Sequence, residues 1–213
     1  MARALDRLVG KIRACRVCRD APGGQRLAHE PRPVLRVSAT ARIAVCGQAP
    51  GTRVHASGVP FTDPSGVRLR AWMGVSEDEF YDVRRVAIVP MGFCFPGQDA
   101  DGGDLPPRKE CAPRWRAKVF RHLPDLEIIL LVGQYAQRWH LGERAGRSLT
   151  ETVADWRAIL YASAQPRLLP LPHPSWRNNG WVKKNPWFEA ELLPVLRGEV
   201  RRLLDGVDAA LAR

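Results

Sequence analysis

Two loops and a set of cysteines in this 213-residue chain have the residue types and spacing to do chemistry. The first loop is Gly47-Gln48-Ala49-Pro50-Gly51, with His55, Phe61 and Asp63 close behind it. Its two glycines permit close backbone approach and positive φ, and Pro50 stiffens the turn. Such a loop can offer backbone N–H groups to a ligand oxygen or to phosphate. It is not a Walker loop, since no Gly-Lys-Ser/Thr follows, and it is not a dinucleotide GxGxxG turn. Phe61 suits stacking on a flat ring, worth ~1–3 kcal/mol for a base. Packing the loop against the core is the simpler reading from spacing alone. Asp63 suits a helix N-cap or an acidic group in a pocket, and the local Asp-Pro-Ser-Gly favours the cap. His55, taken alone, reads as a solvated loop histidine.

The second loop is His173-Pro174-Ser175. Pro174 keeps His173 extended and fixes the direction in which the chain leaves. A neutral imidazole can donate a hydrogen bond to an oxygen that gains negative charge. Ser175 can hold a phosphate through its hydroxyl or backbone N–H. Trp176, Arg177, Asn178, Asn179, Trp181, Lys183 and Lys184 follow. Basic and aromatic side chains interleaved in this way suit a distorted nucleic-acid strand.

Five cysteines complete the inventory: Cys15 and Cys18 in a CxxC, Cys46, Cys94 and Cys111. An odd number argues against a disulfide framework. Cysteine thiolates can hold an iron–sulfur cluster or a zinc ion. Free buried cysteines are the remaining alternative. Cys46 lies within an apolar run and reads as a small core residue.

Charge points the same way as the second loop. The chain carries 33 Lys and Arg against 22 Asp and Glu, a formal net charge of +11. So basic a protein suits a polyanionic partner, with an arginine-rich solvated surface as the plain alternative. No run of 18 apolar residues occurs, so no membrane-spanning helix is expected. The N-terminus reads as an amphipathic helix that belongs to the working domain, without the apolar core of a secretory signal.

The elements that must position these loops are four apolar runs at 41–47, 84–92, 126–133 and 167–175, read as buried parallel strands. Helical patterns lie between them, among them 148–162, opened by a Ser148–Glu151 capping box, and 186 to the C-terminus. The expected fold is a three-layer α/β/α domain spanning residues 1–213, with a central, four-stranded, mainly parallel sheet. In such a sheet the site lies beyond the carboxyl ends of the strands, where the Gly-, Pro- and His-rich loops fall.

Together the two loops resemble the motifs of the uracil-DNA glycosylase superfamily: GQAPG with SGVPF after the first strand, and HPS after the fourth. The CxxC with Cys94 and Cys111 is similar to the iron–sulfur, family 4-like branch. That resemblance implies a [4Fe–4S] cluster on Cys15, Cys18, Cys94 and Cys111 that pins the N-terminal segment to the 94–111 loop. It implies a DNA repair enzyme that flips uracil or a related deaminated base out of DNA and hydrolyses its N-glycosidic bond. Gly47, Gln48 and Ala49 would line the uracil O2 side and help place water, Phe61 would stack under the base, and His173 would bond to O2. Ser175 would grip a phosphate, Trp176 or Arg177 would fill the gap in the duplex, and Lys183 and Lys184 would add charge.

The chain departs from the branch at Gln48, where glutamate is usual, at Ala49, where a carboxylate stands elsewhere in the superfamily, and at Pro90, where asparagine reads the base. Asp63 is the substitute candidate for acid–base duty. Met91 and Gly92, through their backbone, or Asn178 are substitute readers of the base. No lysine stands out as a Schiff-base nucleophile, so a monofunctional glycosylase is expected. The alternative is a protein of the same fold that binds uracil-DNA without turnover, or traps it covalently through His55 or His173. The resemblance further implies a monomer acting on single- or double-stranded DNA in the bacterial cytosol, at the nucleoid.

Overall fold

The computed structural model describes residues 2–162 and 165–211. The chain runs α1 (Ala2–Arg13), α2 (Val17–Asp20), β1 (Ile43–Cys46), α3 (Thr52–Ser57), α4 (Pro64–Met73), α5 (Glu77–Tyr81), β2 (Val86–Ile88) and α6 (Cys111–Phe120). It continues through β3 (Ile128–Val132), α7 (Gln134–Leu141), α8 (Leu149–Ala154), α9 (Trp156–Leu160), β4 (Arg167–Leu171), α10 (Asn179–Lys184) and α11 (Leu193–Leu211). All four strands are parallel, in the order β2-β1-β3-β4.

Alternation along the strands builds the three layers. Ile43, Val45, Val86, Ile88, Ile128, Leu130, Leu169 and Leu171 face one side, against Leu69, Trp72, Trp156, Phe188 and Leu196. Ala44, Cys46, Ala87, Val89, Ile129 and Leu131 face the other, against Leu5, Ile12, Val119 and Leu141. The second face uses small residues in β1 and β2 because a buried arginine of α6, Arg116, lies against it. The free edge of β2 is covered by an antiparallel bridge between Arg36 and Ile88. That pairing hides an edge otherwise open to association.

Chain direction places the crevice. From β1 the chain moves outward to β2, then crosses back to β3 and on to β4. The switch in direction falls between β1 and β3, where loops leaving the carboxyl ends diverge and open a crevice.

Three expectations are corrected in detail. The helix expected over 148–162 breaks at Asp155 into α8 and α9. Its capping box is half formed: Ser148 accepts from the Glu151 N–H, but the Glu151 carboxylate reaches the Arg147 N–H instead of Ser148. The complete box stands at Ser76 and Glu79, opening α5. The last helix begins with a π-helical turn, Phe188–Leu192, before α11. Pro194 has no N–H to give the carbonyl four residues back, which accounts for the irregular start.

Candidate active site

The loops after β1 and β4, the start of α4 and the hairpin around Gly97–Leu105 enclose a crevice of about 800 Å³. Gly47, Gln48, Ala49, Phe61, Asp63, His173, Ser175, Trp176, Arg177 and Asn178 all line it.

Phe61 forms one wall. Its φ is +57°, a left-handed conformation that non-glycine residues rarely adopt. Several contacts hold it there. Arg70 donates to the Phe61 carbonyl at 3.3 Å, and the ring meets Phe80 edge-on with centroids 5.9 Å apart. Gly66 must lack a side chain, because a Cβ there would fall 1.8 Å from the Phe61 carbonyl oxygen. Strain of ~1–3 kcal/mol held so firmly is a mark of a functional wall.

His173 stands opposite in sequence, two residues beyond β4. Its backbone is fixed from below: the Gly133 N–H and the Gln137 side chain both donate to the Leu171 carbonyl, each at 2.9 Å. The Asn178 amide donates to the His173 carbonyl at 2.7 Å and closes the turn. Burial pushes the imidazole pKa down, against an opposing pull from Asp63 and Asp104. A neutral ring results, with an N–H free to donate: neither nitrogen has a hydrogen-bond partner among the described residues.

Asp63 precedes α4 in extended conformation, but its carboxylate does not cap the helix backbone. It accepts the Ser65 hydroxyl at 2.8 Å instead and stays in the crevice wall. Asp104 is a second carboxylate in the same wall, which the sequence reading missed. Arg53 and Arg68 were missed as well. Arg68 donates to the Asn179 side chain at 2.6 Å and lies over the Trp72 ring, so it ties α4 to the His-Pro-Ser loop. At the mouth, Trp176 is 75% exposed with the Arg177 guanidinium over its ring. A bare indole beside arginines at a crevice mouth is a surface suited to nucleic acid.

Other expected residues fall elsewhere. His55, on α3, packs its ring against His29 and Phe95, with centroids 4.6 and 5.7 Å away, and does not line the crevice. Met91 and Gly92 lie behind it: their N–H groups are spent on the Gly47 and Gln48 carbonyls, each at 2.9 Å, and the Phe93 N–H goes to Cys111 Sγ at 3.3 Å. The first two N–H groups therefore carry the β1–β2 pairing onward, and none of the three is left as a donor for a base. Asn178 lines the crevice, but one amide hydrogen is committed to His173. Lys183 and Lys184 are exposed in the last turn of α10, outside the crevice lining.

Cys15, Cys18, Cys94 and Cys111 line one pocket, with Ile12, Phe93, Arg108 and Trp115 around them. Burial and the neighbouring thiols push Cys94 and Cys111 up to about 12. Among the described residues no group of three or more His, Cys, Asp or Glu is set to hold a single metal ion. Cys46 is fully buried on β1, as the apolar run suggests.

The family model described as "Uracil DNA glycosylase superfamily" matches residues 36–197, about three quarters of the chain. The chain belongs to that superfamily. Membership accounts for the sheet and for the two loops that meet in the crevice, and it implies a DNA substrate. It points to a glycosylase hydrolase acting on DNA. No helix among the described residues is long and apolar enough to cross a membrane.

Proposed function

We propose that this superfamily member is a monofunctional DNA glycosylase that excises uracil or a related deaminated base and leaves an abasic site. One observation carries the reading: a strained aromatic wall, Phe61, and an unpartnered imidazole, His173, line the same crevice under an arginine- and tryptophan-bearing mouth.

Chemistry on a base requires its extrusion from the stack. Trp176 suits the gap left in the duplex, while Ser175, Arg177 and Arg68 suit the flanking phosphates. The flipped ring stacks on Phe61. As the glycosidic bond breaks, the sugar gains cationic character and the base gains negative charge. The His173 N–H donates to the oxygen that receives this charge, and one such donor is worth ~2.7–4 kcal/mol. Asp63 and Asp104 offer negative charge to the sugar cation. Gln48 and the first-loop backbone help place water. Met91 and Gly92 offer the base no N–H donor here, because those groups are already bonded.

A [4Fe–4S] cluster on the four cysteines is part of this reading, supported by their lining one pocket and by the Phe93 N–H donated to Cys111 Sγ. Zinc held by the same four thiolates is the rival occupant, which metal analysis of the purified protein separates from iron. When bound, the cluster supplies iron–thiolate bonds that tie the α1–α2 segment to the start of α6.

Covalent trapping loses one of its two nucleophiles, since His55 is turned into a ring cluster away from the crevice. Incubation with labelled oligonucleotides carrying uracil, hypoxanthine or xanthine, single- and double-stranded, tests the reading on a denaturing gel after alkali. Strand cleavage at the modified base is the expected result. A protein-shifted band would establish trapping instead, and unchanged DNA across the panel would refute both.

A further inference from the structure

The sequence motifs leave open which group activates the water, since position 49 is alanine. We propose that Asp104, from the hairpin between β2 and α6, is the carboxylate that orients and deprotonates the attacking water. The inference deepens the proposed glycosylase function and rests on it.

The hairpin is built to hold this side chain. Leu105 N–H donates to the Gly97 carbonyl, Asp99 N–H to the Gly103 carbonyl, and the Asp99 carboxylate accepts from Gly103 N–H at 2.7 Å. Gln98 and Asp104 form an antiparallel bridge at its base. This framework delivers the Asp104 carboxylate onto the first loop: Oδ2 lies 2.9 Å from where a Cβ on Gly51 would be. The group therefore occupies space beside the GQAPG turn that only a glycine leaves open. From there it faces the crevice and feels the charges of Arg177 and Asp63.

Two carboxylates share the crevice, and their surroundings divide the work. Asp63, just before α4, accepts the Ser65 hydroxyl at 2.8 Å, so one of its oxygens is already committed. Asp104 has one long contact, 3.4 Å from the Gln98 amide. Burial raises its pKa above the usual carboxylate value, which makes it the better proton acceptor. The step balances with groups at hand. The C1′–N bond breaks with its electron pair passing to the base, whose oxygen His173 receives. Water oxygen bonds to C1′, and its proton passes to the Asp104 carboxylate and then to solvent.

A catalytic and a structural Asp104 respond differently to substitution. A carboxylate whose folded-state pKa is raised opposes folding in its ionised form, so Asp104→Asn should melt at the same temperature as wild type or higher. Single-turnover excision by Asp104→Asn should fall at least ~100-fold, the lower end of the range for general-base catalysis. Binding to abasic-site DNA should persist, and the acid limb of the pH–rate profile should disappear. Gly51→Ala is the second probe. Its methyl must push the Asp104 carboxylate aside without touching the fold, and excision should drop more than ~10-fold, the scale of a lost contact in the transition state. Wild-type excision retained by Asp104→Asn would overturn the role of Asp104 alone. A loss of excision with a lower melting temperature and an unchanged pH profile would assign Asp104 to the scaffold and overturn the proposal. No excision by the wild-type chain on any modified base would overturn the glycosylase reading and this inference with it.

Discussion

The tip of the Phe61 ring lies so close to Gly47 that a Cβ on that glycine would stand 3.1 Å from Phe61 Cζ. The last residue before the first-loop turn and the strained aromatic wall are therefore one unit. Gly47→Ala must displace the ring by a few tenths of an ångström, while Phe61 has little freedom, being held by Arg70, Phe80 and Gly66. The expected cost in stability is ~1 kcal/mol, typical of mild overpacking. The expected loss in excision is larger, since the stacking surface tilts. Phe61→Ala gives the limit: stacking worth ~1–3 kcal/mol per base predicts about a ten- to hundredfold loss of kcat/KM. Steady-state kinetics beside urea melts separate the two effects, and parallel losses in both would reduce Phe61 to a packing residue.

His173→Ala should lower single-turnover excision by ~100- to 1000-fold, the cost of one donor to a developing oxyanion. DNA binding should change little, because the ring meets charge formed only in the transition state. The pH dependence carries the sign of the pKa shift. Burial lowers the His173 pKa, so the imidazole stays neutral as pH falls through ~6.5, its ordinary value. Wild-type excision should therefore show no inflection near that pH. A rate that halves at the ordinary histidine pKa would mean that the ring is solvated and not the donor described.

The readable and unreadable parts of this chain differ in physical kind. β1 to β4 were legible because both faces of the sheet are covered, which writes continuous apolar runs into the sequence. Gly47 to Gly51 and His173 to Ser175 were legible because glycine and proline mark sharp turns after those runs. Asp104 was not. Its stretch, Asp99 to Asp104, has the composition of a solvated turn, and nothing local says that Gly97–Leu105 folds back onto Gly51. His55 misled for the converse reason: a histidine near a motif looks available until His29, 26 positions away, fills the space beside it. Met91 and Gly92 misled because backbone N–H groups can be counted as free only when their partners are known.

Arg116 ties the second strand face together. It is 1% exposed, donates to the Val89 and Pro90 carbonyls at 2.7 and 2.8 Å, and reaches Cys46 Sγ at 3.2 Å and His140 Nε2 at 2.6 Å. Pro90 lines the crevice, so the guanidinium braces its floor. Arg116→Met keeps much of the volume but strands two buried carbonyls, each costing ~1–3 kcal/mol. Urea denaturation should show a loss of at least ~2 kcal/mol. His140, pushed down to about 3 by burial and by Arg116, adds a pH signature. The unfolded chain binds its proton below ~6.5 while the folded chain does not, so stability should fall as pH drops from there toward 3. His140→Gln should flatten that slope. A wild-type stability curve flat across this window would remove His140 from the network.

The thiol pocket makes the last prediction. Cys15 and Cys18 flank the start of α2, Cys94 follows β2, and Cys111 opens α6, so three segments distant in sequence depend on what the sulfurs hold. The purified protein should be brown, with iron and sulfide near four per chain and absorbance near ~400 nm, as thiolate-ligated clusters show. Cys94→Ala and Cys111→Ala should each bleach the colour and lower the melting temperature, because a site assembled only in the folded chain adds its binding energy to folding. Cys46→Ala is the control. Cys46 is fully buried on β1 and does not line the thiol pocket, so its loss should leave the spectrum unchanged. Colourless protein containing one zinc per chain would replace the cluster by a mononuclear site. Metal-free protein with unaltered stability would leave the four cysteines as packing residues.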